Sequence, residues 1–504
     1  MDLVELAEQN YTRFGERISV TFEDREYTNL EMLQFSRKLA NGLKNLGVGS
    51  GDKVVVMLLN CPEVLISYQG ILRAGGIIVP VLFLLGEREI IHILRNSESV
   101  AIITSKDLLG KIDKDRDTIE TLRHVIIVED EDLPGTIKFW ELVDGNSEES
   151  IPILIREGDL AVILYTAGTT GTPKGVMLNH KNLYSNAVSC SSIVRVEPDD
   201  VGLNVLPLSH SYGLTVMNTG YMFGNKAVMM RWFDTEETFR LIERHRVTGF
   251  AGVSAMFAMM LNSPEADKYD LSSLKRCLSG SAPLPVEILR AFQERFDCTI
   301  REGYGLSEAA PVVSTHFPDR PQKPGSIGQP IPGVEVKIVD EKDRSVPVGE
   351  IGELLVRGPN VSPGYYNLPE ETAETFRNGW LYTGDMARMD EDGYLYIVER
   401  KKDLIIRGGF NIYPRDVEEV LYEHSAVLDA AVIGLPDPVM GEEVKAFVAL
   451  REGQTASEQD IIDHCQQHLG KYKCPRYVEF IDTMPRNPIG KILRKELRHR
   501  NTNQ

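Results

Sequence analysis

Cysteine is scarce: Cys61, Cys190, Cys277, Cys298, Cys465 and Cys474 are six in 504 residues, and no two form a C-x-x-C pair. That is too sparse for a disulfide framework and wrongly spaced for a zinc site, so reduced thiols in a cytoplasmic protein are expected. Basic residues are in the minority, with 55 Lys+Arg against 74 Asp+Glu and a net charge of −19. Such a balance argues against a general nucleic-acid binder and against adhesion to an anionic membrane. Long apolar runs are also lacking. The most apolar stretches, Gly75–Leu85 and Ala251–Leu261, are too short to span a bilayer, and the first contains Pro80. The opening MDLVELAEQN is acidic and has no basic region ahead of an apolar one, so it does not read as a signal peptide. No internal repeat and no low-complexity tract is found. The oligomeric state stays open.

What remains is ordinary globular material, 42% hydrophobic and 26% charged, which excludes wholesale disorder. The length suggests about three units, or one large α/β domain with a smaller one. Val54–Leu59, Val100–Thr104, Val125–Val128 and Leu160–Thr166 read as buried strands. Val286, Leu289, Phe292 and Phe296 fall at helical spacing. Strands alternating with helices predict parallel sheets covered on both faces. Beyond about residue 325 the segments Glu335–Asp340, Glu353–Gly358 and Tyr394–Glu399 are separated by turns such as Asp392-Gly393, which predicts a more antiparallel, barrel-like piece. A boundary is placed at Arg400–Asp403. The residues after it carry their own core candidates (Val417–Leu421, Ala430–Gly434, Val444–Leu450) and predict a small α+β domain. The expected division is therefore 1–399 and 400–504.

One loop carries chemistry. Tyr165-Thr166-Ala167-Gly168-Thr169-Thr170-Gly171-Thr172-Pro173-Lys174-Gly175 follows a predicted strand. Its glycines let consecutive N–H groups converge on phosphate oxygens, its threonines add donors, and Lys174 adds positive charge. It is not a P-loop, because no G-x-x-x-x-G-K-[S/T] occurs here or at Gly490-Lys491-Ile492. Near the other end, Arg486, Lys491, Arg494, Lys495, Arg498 and Arg500 face the single acid Glu496. The run reads either as a solvated helix end or as a cationic element that meets a polyanion.

The loop resembles the signature of the adenylate-forming superfamily, which holds acyl-CoA synthetases, peptide-synthetase adenylation domains and firefly-type luciferases. Further motifs of that family follow in order: Ser279-Gly280-Ser281-Ala282-Pro283-Leu284, Tyr304-Gly305-Leu306-Ser307-Glu308, Tyr382-Thr383-Gly384-Asp385, Arg400-Lys401-Lys402-Asp403, Arg407-Gly408-Gly409-Phe410-Asn411-Ile412 and Pro488-Ile489-Gly490-Lys491. The resemblance spans essentially the whole chain, and the intervals from Asp385 to Arg400 to Lys491 look like those of plant phenolic-acid CoA ligases. It implies a large N-terminal AMP-binding domain of parallel-type sheets with a barrel-like subdomain, and a small mobile C-terminal domain hinged near Lys402.

The implied reaction joins a carboxylate to the α-phosphate of ATP, releases pyrophosphate, and then exchanges AMP for a thiol. Bringing an anion up to a polyanion makes catalysis mostly charge neutralisation and alignment. By the resemblance, Thr166, Gly168, Thr169, Thr170 and Lys174 cradle the phosphates. Glu308 holds Mg²⁺ with Thr166 close by, as a hard dication requires a carboxylate oxygen. Gly280, Ser281 and Ala282 pass along the adenine, Tyr304 stacks on it, Glu302 and Gly303 border it, and Ser307 is a further nucleotide-binding residue. Asp385 and Arg400 serve the ribose. Lys491 bridges carboxylate and α-phosphate as charge develops. His210 stands between acyl pocket and adenylate. A rotation about Lys402 would withdraw Lys491, bring Gly408 and Gly409 to the pantetheine thread, and place Asn411 near AMP.

The acid is less constrained. By analogy of position its pocket is lined by His210, Gly213, Leu214, Gly252, Val253, Met256, Gly280 and Leu306. No acidic residue stands near Ala251–Leu261 to receive an amino group, so a fatty or aryl acid is favoured over an amino acid. Methionine adapts to irregular shapes, which tips the balance to an aliphatic chain, although the same methionines also suit a helix core. Coenzyme A is the expected thiol. A carrier-protein thiol is the alternative, and a non-catalytic nucleotide or acyl-CoA binder is the reading from another class. Two departures stand out: Ala167 where relatives commonly have Ser, and the bulky apolar Ile78–Glu87, for which the sequence offers no account.

Overall fold

The computed structural model describes residues 1–166, 173–401, 403–486 and 492–500, with the side chain of His499 left out. Two large sheets face each other across a layer of helices. The first has eight strands. Its centre is the parallel set Lys53–Met57, Ile77–Pro80, Ala101–Thr104 and His124–Ile127, with Leu160–Thr166 beside Ile77–Pro80. These strands are short β-branched runs buried on both faces, as parallel strands under helices must be. Leu160–Thr166 then turns back antiparallel into Lys174–Asn179, so Thr166 lies opposite Lys174 in register.

The second sheet has nine strands. Its parallel middle runs Thr299–Gly305, Arg276–Ser279, Gly249–Gly252, Val201–Asn204, Lys226–Met229 and Ile18–Phe22. Helices Leu3–Phe14, Asn29–Asn45, Pro62–Arg73, His180–Ile193 and Ser211–Gly220 contribute to the core between the sheets, where Leu39, Leu43, Ile66 and Ile71 are fully enclosed. A second core lies under the outer face of the nine-stranded sheet. There Phe257, Phe292 and Phe296 pack in a chain of ring contacts with centroids 4.4–5.2 Å apart. Helix Val286–Phe296 forms over the predicted residues, and Leu289, Phe292 and Phe296 are its buried face.

After residue 325 the chain becomes antiparallel. Glu335–Val339, Gly352–Arg357, Trp380–Met389 and Leu395–Arg400 pair in succession into a five-stranded sheet completed by Phe376–Arg377. The residues that follow build a fourth sheet around the long hairpin Val427–Asp437 and Gly441–Leu450. Helices Pro414–Tyr422 and Glu458–His468 share its main core, while Leu497 of helix Arg494–Arg500 packs with Ala431, Ile433 and Phe447 in a separate cluster. No helix among the described residues is long and apolar enough to cross a membrane. The mixed α/β architecture with a small C-terminal α+β unit is the fold class expected from the sequence.

Candidate active site

A cavity of about 1370 Å³ opens where the strands of both large sheets end. Clefts beyond the carboxyl ends of parallel strands are where open α/β sheets place ligands. From the first sheet come Thr166 and Lys174. From the second come Gly280, Ser281, Gly303, Tyr304, Leu306, Ser307 and Glu308. His210 enters from the turn before helix Ser211–Gly220, and Arg400 closes one side. The structure thus gathers eleven predicted residues, spread over more than two hundred positions, around one space. Gly168, Thr169, Thr170, Lys402 and Lys491 lie outside the described residues.

The strand Thr299–Gly305 is shaped for close approach. A Cβ on Gly305 would run into the carbonyl of Pro311, and one on Gly303 would sit 3.2 Å from the carbonyl of Ser314. A Cβ on Gly280 would meet the Tyr212 ring at 3.1 Å. Ser281 next to it takes φ 69°, a left-handed turn that bends the strip around the cavity. Bare backbone along two neighbouring strand ends suits a flat ligand.

Glu308 follows in the short helix Ser307–Ala309 and accepts a hydrogen bond from Tyr365 Oη at 2.8 Å on Oε1. Burial and that carboxylate raise the Tyr365 phenol, which keeps it a donor. Lys174 Nζ stands 4.0 Å from Glu371 and 5.5 Å from the Tyr365 ring centroid. No cluster of three or more His, Cys, Asp or Glu able to hold a metal exists among the described residues. A lone carboxylate suits Mg²⁺, which keeps waters and shares its shell with phosphate oxygens.

Asp385 is 4% exposed and stays just behind the cavity wall. Tyr304 Oη donates to its Oδ2, and Arg400 Nε lies 3.3 Å from its Oδ1. Gly384, at φ 70°, turns the strand here, its N–H donating to Glu353 Oε1 at 3.2 Å. Burial and the neighbouring carboxylate push the Tyr304 phenol up.

His210 caps the helix Ser211–Gly220: its Nδ1 accepts from the Tyr212 N–H at 3.3 Å, which leaves the ring proton on Nε2. The turn before it is pinned by residues that carried no sequence signal. Asn60 donates to the Leu206 carbonyl and accepts from the Leu208 N–H, both at 2.9 Å, and Tyr68 Oη donates to the Leu208 carbonyl at 3.1 Å.

Other predicted positions fall elsewhere. Gly213 packs against the Pro207 carbonyl, where no side chain fits. Leu214, Val253 and Met256 are core residues, and Gly252, Glu302 and Ala282 also stand off the lining. Glu302 is buried, and its carboxyl is pushed up to about 7 by that burial. Gly408, Gly409 and Asn411 form the hairpin between Ile405–Arg407 and Phe410–Ile412, away from the cavity. Both glycines take left-handed φ, 58° and 83°.

The far reach of the cavity was not read from the sequence. Gly202 and Gly249 sit opposite each other on adjacent central strands, and Ala251 opposite Asn204 one step along. A Cβ on Gly202 would meet nothing within 4 Å, and one on Gly249 only the Arg276 carbonyl at 3.9 Å. Neither glycine has a left-handed φ, so the backbone does not require them. They lay a floor of empty space in mid-sheet, with Tyr212 and Val216 lining it from the helix side. Of the bulky apolar segment, Leu82, Leu84 and Leu85 also line the cavity, while Ile78, Val79 and Val81 are core residues.

Three of the six cations of the basic tail are neutralised from within. Arg494 lies 2.7 Å from Glu418 and 3.6 Å from Glu399, Arg498 lies 2.9 Å from Asp403, and Arg486 lies 2.6 Å from Asp429. Arg494 thereby ties the last strand of the third sheet to helix Pro414–Tyr422. Arg486, Leu493 and Glu496 reach the cavity.

Residues 7–366 match the AMP-binding enzyme family and residues 416–491 the AMP-binding enzyme C-terminal domain. The chain is 40% identical to the long-chain-fatty-acid–CoA ligase of Bacillus subtilis, covering 96% of this chain and 92% of the relative. It is 36% identical to 4-coumarate–CoA ligase 1 of Solanum tuberosum, over 95% and 89%. Its fold superposes on the crystal structure of the anthranilate CoA ligase AuaEII in complex with anthranoyl-AMP with a TM-score of 0.93 at 29% identity, over 99% of this chain and 97% of the other.

Proposed function

The chain belongs to the AMP-binding enzymes, in the branch of adenylate-forming acyl-CoA synthetases, and from that premise we propose that it activates fatty acids of extended length. The observation that carries the length is the glycine floor of Gly202 and Gly249, which continues the cavity past the nucleotide end into the middle of the sheet. An aliphatic chain gains from such a groove by leaving water, roughly 0.8 kcal/mol per buried methylene.

The reaction has two steps. The acid's carboxylate oxygen attacks the α-phosphorus of ATP, the bond to the bridging oxygen of the β-phosphate breaks, and pyrophosphate leaves. The thiol of coenzyme A then loses its proton and its sulfur attacks the acyl carbonyl, breaking the bond to AMP. Gly280, Ser281, Gly303 and Tyr304 hold the adenosine, and Asp385 with Arg400 orients the ribose. Lys174 and Thr166 meet the phosphates, with Lys491 supplying the cation that joins the two anions. Glu308, with Thr166, is the group to hold Mg²⁺, which would supply further neutralisation at the phosphates. His210, fixed by the Tyr212 N–H, borders the acyl carbonyl. Residues 400–504 serve as the mobile domain, turning about Lys402 so that Gly408 and Gly409 receive the pantetheine.

The test is a mass-spectrometric product assay with ATP, Mg²⁺ and panels of fatty, aryl and amino acids, with and without CoA. Acyl-CoA and AMP from fatty acids support the reading. Turnover confined to aryl acids overturns the choice of acid. Acyl-AMP that accumulates with CoA present overturns the acceptor.

A further inference from the structure

The wall of the acyl cavity carries more positive charge than a plain hydrocarbon chain needs. On strand Thr299–Gly305, Ile300 turns into the core, while Arg301 and Gly303 line the cavity. Across the sheet Arg301 lies beside Leu278, Leu278 beside Ala251, and Ala251 beside Asn204, so its row continues the acyl floor. One step further down, Arg276 lies beside Gly249. Arg195 lines the same end.

Of these three guanidiniums only Arg276 has a carboxylate partner among the described residues, Asp200. That carboxylate is already used, accepting also from Thr248 Oγ1 at 2.8 Å and the Glu197 N–H at 2.6 Å. Arg301 is half-buried, and its side chain makes no hydrogen bond or ion pair with a described residue. Burial lowers its proton affinity, and the charges bearing on it, Arg276 and Arg195, are both positive and lower it further. A half-buried cation without a counter-ion, facing a ligand cavity in a chain of net charge −19, is costly unless the ligand brings the missing charge.

We propose that Arg301 receives a second anionic group on the acid, so that the preferred substrate is an α,ω-dicarboxylic acid rather than an unsubstituted fatty acid. This rests on the ligase reading and refines its acid. Gly305 lies four residue steps along the strand from Arg301, about 13 Å at the usual rise. The first carboxylate meets the nucleotide beside Gly305, and the chain runs back along the strand to the guanidinium. The span suits a medium-length diacid, with the planar fork of Arg301 donating to the oxygens of the far carboxylate.

The test compares decanedioate with decanoate, and 4-carboxycinnamate with cinnamate, as substrates of the full-length protein, following pyrophosphate release. The wild type is expected to show at least tenfold higher kcat/KM for the diacid of a pair. Arg301→Leu is expected to invert that ratio, lowering diacid turnover and raising that of the monoacid, and Arg301→Lys to restore part of the preference. Calorimetric titration of decanedioate is expected to detect binding to the wild type and not to Arg301→Leu. A wild type that prefers the monoacid, with the same ratio in Arg301→Leu, overturns the proposal and leaves the ligase reading intact. Pyrophosphate release from no acid overturns the ligase reading instead, and the calorimetric comparison still decides Arg301.

Discussion

Tyr304 and Asp385, eighty-one positions apart, are joined by a hydrogen bond from the phenol to the carboxylate. The first belongs to the nine-stranded sheet and the second to the antiparallel sheet that follows, so the bond fixes one sheet against the other at the cavity wall. Arg400 holds the other carboxylate oxygen.

Removing that phenol should therefore loosen nucleotide binding before it harms chemistry. Tyr304→Phe is expected to raise the KM for ATP about tenfold, since a hydrogen bond to a charged group is worth roughly 1.5–3 kcal/mol. Asp385→Ala should cost more, because it also strands Arg400. Steady-state pyrophosphate release over a range of ATP concentrations measures both.

Filling the glycine floor should shorten the accepted acid. Gly249→Val puts two methyl groups into space that is empty over the strand. Turnover of long acids should fall at least tenfold while short ones are retained, as read from kcat/KM across a chain-length series. Equal losses at every length would assign the glycine to folding.

Lys491→Ala should separate the two half-reactions. Acyl-AMP formation is expected to fall at least 10²–10³-fold, the usual cost of losing one positioned electrostatic partner. Supplied acyl-AMP should still react with CoA. Equal loss in both steps would remove the role given to this lysine.

Glu302 imposes a pH dependence on stability. Its carboxyl is raised to about 7 from the ordinary 4.5. The folded state then holds a proton that the unfolded state has lost between these values, so stability is greatest below 4.5 and declines as pH rises to about 7. Glu302→Gln should flatten that decline and raise the melting temperature at pH 8. The upper bound is about 3 kcal/mol, at 1.36 kcal/mol per unit. Melting curves from pH 5 to 8 for both proteins give the difference.

The meeting of these segments at one cavity was legible because they are contiguous turns: Ser279-Gly280-Ser281, Tyr304-Gly305 and Thr383-Gly384-Asp385 each declare a local geometry that glycine and small residues permit. The far end of the cavity was not. Leu214, Val253 and Met256 are apolar whether they face a core or a ligand, and the structure puts them in cores. The floor depends on Gly202 lying opposite Gly249, a pairing across forty-seven positions that no local pattern announces. The same holds for Arg494, which reads as one more cation in a basic run until Glu418 and Glu399 are placed beside it. Asn60 was equally silent, since its two bonds to the turn before His210 join segments far apart in the chain.

A floor made from missing side chains has only one direction in which to change. Every replacement at Gly202 or Gly249 adds atoms, so mutation there can narrow the space over the floor but never widen it. A descendant enzyme could turn specialist through a single codon at either position, whereas recovering breadth would require returning to glycine itself. A change of shape at this far end that does not remove space would have to come from the helix wall at Tyr212 and Val216 instead.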